Sequence, residues 1–139
     1  RDIRWSHPFA GYRDYPYEPV VLQKGDVWSR AMLRWQEVER SLKVIRDLIR
    51  DADHGKSCRP EYHPDLRPLS LSVSMSEGWR GEICHTAVTD EQGRIMLYKI
   101  KDPSLHNWMV LAVAVRNQEI SDFPLCNKSF NLSYCGHDL

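Results

Sequence analysis

The 139 residues are enough for one domain with one modest core, and 19 Lys+Arg balance 19 Asp+Glu, so no net charge draws the chain to nucleic acid or to an anionic membrane surface. The longest apolar run, Trp108 to Val115, falls far short of the roughly 18 residues of a membrane-spanning helix, and no secretory leader is visible. Four cysteines, Cys58, Cys84, Cys126 and Cys135, form no C-x-x-C pair, so the usual zinc and redox spacings are missing. The chain opens on Arg1 rather than Met and reads as a piece of a longer protein. Five Trp and six Tyr suit either a core or an interface.

Residues 1–24 are aromatic and proline-rich, with His7-Pro8-Phe9, Tyr15-Pro16-Tyr17 and Pro19-Val20-Val21. The three prolines predict an extended lead-in segment held down by its aromatics. Gly25-Asp26 opens a long helix over 25–53, with Asp26 as N-cap. Ala31, Trp35, Val38, Leu42, Ile45 and Ile49 form an apolar stripe that several neighbours must cover. Residues 54–76 contain Pro60, Pro64 and Pro68 and are expected to be a loop, with a short strand possible where Leu71, Val73 and Met75 alternate with serines.

Residues 77–139 are expected to form a β-hairpin and C-terminal helices. The hairpin strands are 82–89 and 94–101, joined by Asp90-Glu91-Gln92-Gly93; apolar residues on both faces predict packing between other elements. Asp102-Pro103 starts a helix that ends near Asn117, and Ser121-Asp122 starts a shorter one. The tail, with Phe130, Leu132 and Tyr134, is too apolar for a frayed end. The fold class is α+β in a single unit.

Two stretches carry a family resemblance. One is Gly25-Asp26-x-x-x-Arg30-x-x-x-Arg34-x-x-Glu37-x-x-x-Ser41; the other is Gly78-Trp79-Arg80-Gly81-Glu82-Ile83, followed by the hairpin and Asp102-Pro103-Ser104. Arg1-Asp2-Ile3-Arg4 and Ile120-Ser121-Asp122 extend it to both ends. Together they resemble the C-terminal part of the large subunit of group 4, membrane-associated nickel–iron hydrogenases and of its homologue in NADH:quinone oxidoreductase (NADH dehydrogenase). The resemblance implies a large subunit packed against a small iron–sulfur subunit and seated on membrane subunits, peripheral to the cytoplasmic face of the cell membrane. It implies electron transfer to an acceptor such as a quinone, with the Fe–S cluster on the partner and no cofactor bound by this piece. The piece alone is not expected to be active. A non-catalytic assembly or scaffold subunit is the alternative.

The tail departs from the hydrogenase pattern, Asp-Pro-Cys-x-x-Cys. Ser133 and Gly136 stand at its two cysteine positions, and Cys135 is out of register with both. Nickel in such a site takes thiolate ligands, so nickel is expected to be absent. Arg80 matches the arginine that overhangs the metal's open face in hydrogenases, and it is the candidate catalytic residue; otherwise it pairs with Asp122 or Asp138. Asp122, Ser133, Cys135 and His85 are the candidate cavity-lining residues, although a lone strand histidine is more often structural. Arg30 and Arg34, one turn apart, meet acidic groups elsewhere in the complex or form a solvated helix face. His54, Cys58 and His63 resemble a metal cluster only in composition, and Cys135, His137 and Cys126 form the other metal alternative.

Overall fold

The computed structural model describes residues 2–52 and 65–137. The cluster of His54, Cys58 and His63 lies outside the described residues, as does Asp138. The lead-in segment is not wholly extended. It holds a one-turn helix α1 (Ile3–Ser6) and a 3-10 turn (Ala10–Arg13). The prolines begin only at position 8, and the Asp2 carboxylate accepts from the Arg4 backbone N–H at 2.9 Å, so a capped turn forms ahead of them. The rest of the segment runs along the long helix α2 (Val27–Asp51). Arg40 donates to the Glu18 carbonyl, and the Tyr15 hydroxyl donates to Asp51 at 2.9 Å.

Asp26 caps α2 as expected, accepting from the Ser29 N–H at 2.7 Å. The helix turns its polar side toward the rest of the chain. Ser29 is buried, and Arg30, Arg34, Glu37 and Ser41 are partly covered. The apolar stripe faces out, with Trp35 64% and Ile49 59% exposed. Its cover is not among the described residues.

The expected loop over 54–76 gives way at residue 71 to a full strand, β1 (Leu71–Gly78). It pairs antiparallel with β2 (Gly81–Thr89) from Leu71↔Val88 to Gly78↔Gly81, and β2 pairs with β3 (Ile95–Lys101). The hairpin is therefore part of a three-stranded meander, β1-β2-β3. The alternation of Leu71, Val73 and Met75 with serines fits a pleated strand, and the pairing extends it through Glu77. Asp90 shapes the β2–β3 turn by accepting from the N–H groups of Gln92 and Arg94, both at 2.9 Å, and Gly93 supplies φ +75°. Among the described residues the sheet is not packed between other elements. Leu71, Val73, Met96 and Tyr98 are all more than half exposed.

Helix α3 (Ser104–Ala114) starts where the Asp102 carboxylate accepts from the Ser104 N–H at 2.7 Å. A 3-10 turn (Ile120–Asp122) leads into α4 (Phe123–Phe130), which Asn131 closes in the left-handed conformation, φ 51°. The core is small: Ile3, Tyr17, Val20, Leu111 and Cys126 are its buried apolar residues.

Candidate functional site

Gly78 and Gly81 are directly paired, so Trp79 and Arg80 form the tip of a tight β1–β2 turn. Gly81 takes φ +128°, a value closed to side chains with a Cβ. The turn is tied to the tail on one side and to α3 on the other. Arg80 Nε donates to the Asn131 carbonyl, and the Asn107 side chain on α3 donates to the Arg80 carbonyl at 2.9 Å.

Three guanidinium groups gather where α4 ends. Arg34 donates to the Phe130 carbonyl at 2.7 Å, and its guanidinium lies over Trp79, 5.1 Å from the ring centre. Arg30 donates to Ser129 Oγ at 2.8 Å and stacks on Phe130 at 4.2 Å. Arg80 holds the next carbonyl. Positive side chains suit the negative end of a helix dipole and its unpaired carbonyls. Burial, then repulsion from Arg80 and Arg30, lowers the pKa of Arg34. Among the described residues Arg80 makes no ion pair with Asp122, and its Nε donates to the helix-end carbonyl instead; the other expected partner, Asp138, lies outside the described residues.

Arg80 lines a cleft of about 380 Å³ together with Asp2, Glu37 and Glu77. Arg4 binds Asp2 with contacts of 2.6 and 3.0 Å and stands 3.9 Å from Glu37. Glu77 accepts from the Ile3 N–H at 3.0 Å. Burial raises the pKa of Glu37; Asp2 and Glu77 push it further up, and Arg4 and Arg34 partly offset them. Burial likewise raises Glu77, against the hydrogen bond from Ile3. Sequence reasoning placed Glu37 in a motif but gave it no role. The available signal was its position seven residues after Arg30 and three after Arg34, on the same helix face.

The other candidates disperse. His85 sits on β2, where its Nδ1 lies 2.6 Å from the Tyr98 hydroxyl, and it does not line the cleft. Asp122 lines a separate cleft with Arg30 and Cys126. Cys135 is an exposed free thiol. Ser133 is held in the tail: its N–H donates to Ser104 Oγ at 3.1 Å, and its hydroxyl accepts from the Gly136 N–H at 3.1 Å. A Cβ added to Gly136 would stand 2.5 Å from Asp102 Cγ. Ser133 and Gly136, the positions that the resemblance pairs with cysteines, are thus bonded to each other, and a Cβ at Gly136 would crowd the Asp102 side chain. No group of three His, Cys, Asp or Glu residues able to hold a metal occurs among the described residues.

The α+β scaffold, with its arginine-bearing turn pinned to the tail, has the fold of the C-terminal part of a respiratory-complex large subunit. The whole chain superposes on 39% of a chain of the membrane-bound sulfane sulfur reductase, an archaeal respiratory membrane complex, with TM-score 0.83 and 25% identity. By sequence the chain is similar to hydrogenases and to NADH-quinone oxidoreductase subunits. Residues 1–69 match the family described as respiratory-chain NADH dehydrogenase, 49 Kd subunit. The carbon monoxide-induced hydrogenase of Rhodospirillum rubrum is 35% identical over 94% of this chain and 36% of its own length. Hydrogenase-4 component G of Escherichia coli is 26% identical over 96% of this chain and 24% of its own. NADH-quinone oxidoreductase subunit 4 of Thermus thermophilus is 24% identical over 87% of this chain and 36% of its own. The chain thus spans about a quarter to two fifths of the length of these proteins.

Proposed function

We propose that the chain is the C-terminal part of the large subunit of a membrane-associated, hydrogenase-like electron-transfer complex that works without a nickel–iron centre. The observation that carries the metal-free reading is the closed tail: the Ser133 hydroxyl accepts from Gly136, and a Cβ at Gly136 would run into Asp102. The relatives, by their names, are hydrogenases and quinone oxidoreductases, and the structural neighbour is a respiratory membrane complex. The membrane complex supports membrane subunits as the platform, and a small iron–sulfur subunit as electron donor is what the family resemblance implies. No helix among the described residues is long and apolar enough to cross a membrane, which accords with peripheral seating. A cytoplasmic position on the inner face of the membrane follows from the same reading.

In this reading the cleft beside Arg80 receives the acceptor, a quinone. Nε of Arg80 is committed to Asn131, which leaves the terminal nitrogens of the guanidinium to bind a reduced, negatively charged oxygen. Ser133 and Cys135 lie on the tail segment that Arg80 pins, while His85 and Asp122 play no part in this cleft. The alternative, an assembly subunit without chemistry, is favoured by Arg80's structural bond to the tail.

The test is to purify the full-length subunit with its small-subunit partner and measure nickel, iron and quinone reduction. Iron without nickel, with quinone reduction that falls sharply in Arg80→Met, is the expected result. Stoichiometric nickel would overturn the metal-free reading. Intact assembly with no reduction of any acceptor would favour the scaffold.

A further inference from the structure

Arg80 stands at the tip of a two-residue turn, a place where backbone and side chain ordinarily keep some freedom. The residue that follows it adds to that freedom. Gly81 has no Cβ, so sterics alone do little to stop the Arg80–Gly81 peptide from rotating. A rotation there would swing the Arg80 side chain with it. The orientation of that peptide must therefore be set by its contacts.

Asn107, in the first turn of α3, supplies the contact. Its Nδ2 donates to the Arg80 carbonyl at 2.9 Å, in a part-buried bond between residues 27 apart in the chain. A carbonyl can only accept, so the amide nitrogen and not the amide oxygen must face the turn. The start of α3 also lies close against the turn, since a Cβ on Gly81 would stand 3.2 Å from Pro103 Cβ. The rest of the turn is held from other elements. The Arg34 guanidinium on α2 covers the Trp79 ring at 5.1 Å and is itself fixed by the Phe130 carbonyl at 2.7 Å. Arg80 Nε is bound to the Asn131 carbonyl. All four turn residues, Gly78 to Gly81, line the cleft, and Asn107 is not among the residues that do.

We propose that Asn107 is a positioning residue for Arg80: by holding the Arg80 carbonyl it fixes the Arg80–Gly81 peptide and so aims the free guanidinium nitrogens into the cleft. The inference rests on the reading of Arg80 as the group that binds the reduced acceptor, and it adds the residue that acts through Arg80 without touching the acceptor. A group that stabilises developing charge works by being held in place beforehand, so a loosened turn costs rate even though the guanidinium is still present.

The experiment uses the intact complex with decylubiquinone as the acceptor. Asn107→Leu keeps the side-chain size and removes the donor. It should lower kcat about 10- to 100-fold with KM little changed, and with iron content and subunit stoichiometry retained. Asn107→Gln, which keeps the donor, should recover part of the rate. In an Arg80→Met complex the same Asn107→Leu change should cost less than about 2-fold, because no guanidinium is left to aim. Amide exchange over residues 78–83, read by mass spectrometry, should be faster in Asn107→Leu while exchange in α2 is unchanged. An Asn107→Leu complex with the wild-type rate, or an equal loss with and without Arg80, would overturn the proposal. A wild-type complex that reduces no quinone, or an Arg80→Met complex with the wild-type rate, would sink the acceptor reading. Turn exchange in Asn107→Leu then decides the positioning claim by itself: faster exchange upholds it and unchanged exchange overturns it.

Discussion

At the level of single residues, burial and like charge act together on the cleft wall. Glu37 and Glu77 both titrate higher in the folded state than in the unfolded chain. A raised carboxyl contributes stability that is complete below the ordinary glutamate range and is lost as the pH rises through the raised value. The full-length subunit should therefore lose stability as pH climbs past about 4.3, the unperturbed glutamate value, and the loss should be smaller in Glu37→Gln. Denaturant midpoints measured across pH check this; identical slopes for the two proteins would contradict it. Gly136 gives a second prediction. Gly136→Ala drives a Cβ to within 2.5 Å of Asp102, whose carboxylate starts α3, so stability should fall by about 1–3 kcal/mol. For the same reason, Ser133→Cys with Gly136→Cys should not restore nickel binding, as metal analysis of the purified complex would show.

Turn geometry decides the elements. The β2–β3 connection depends on Asp90, whose carboxylate accepts two N–H groups, and on Gly93 at φ +75°, where a Cβ would run into the Leu66 carbonyl oxygen. Gly93→Ala should destabilise the hairpin by about 1–3 kcal/mol, seen as faster amide exchange in β2 and β3 than in α2. Unchanged exchange would mean that the turn tolerates the strain. Both the turn and the α3 start were legible in the sequence, from Asp-Glu-Gln-Gly and Asp-Pro-Ser. The end of β1 was less so, because serines fill one face of the strand and only pairing with β2 carries it on to Gly78. α1 was hidden, because the proline-rich stretch that follows masks the short-range cap at Asp2.

Across the whole molecule, apolar surface dominates. Trp28, Trp35 and Ile49 on α2 and Leu71, Met96 and Tyr98 on the sheet are each more than half exposed. Monomeric proteins seldom leave so much apolar area in water. These 139 residues, produced alone, should self-associate or bind a hydrophobic dye, read by light scattering and dye fluorescence. A monodisperse, dye-silent monomer would contradict this. The long helix explains why: its apolar stripe points away from the chain, and its polar side, with Ser29 and Glu37, points in.

Local sequence alone determined much of this protein. Spacing and capping residues marked α2, the hairpin turn and the starts of the last helices, because caps and turns are short-range chemistry. The ordered motifs from Asp2 to Asp122 carried the resemblance, and Ser133 and Gly136 marked a departure from the hydrogenase tail pattern. Only the tertiary structure decided which of those residues meet. It carried Asp2, Glu37 and Glu77, from three separate elements, to the wall of one cleft. It gave Arg80 a helix-end carbonyl rather than Asp122 as partner and left His85 and Asp122 elsewhere. Such encounters depend on how elements pack across dozens of residues, and neither periodicity nor spacing along one segment encodes that distance.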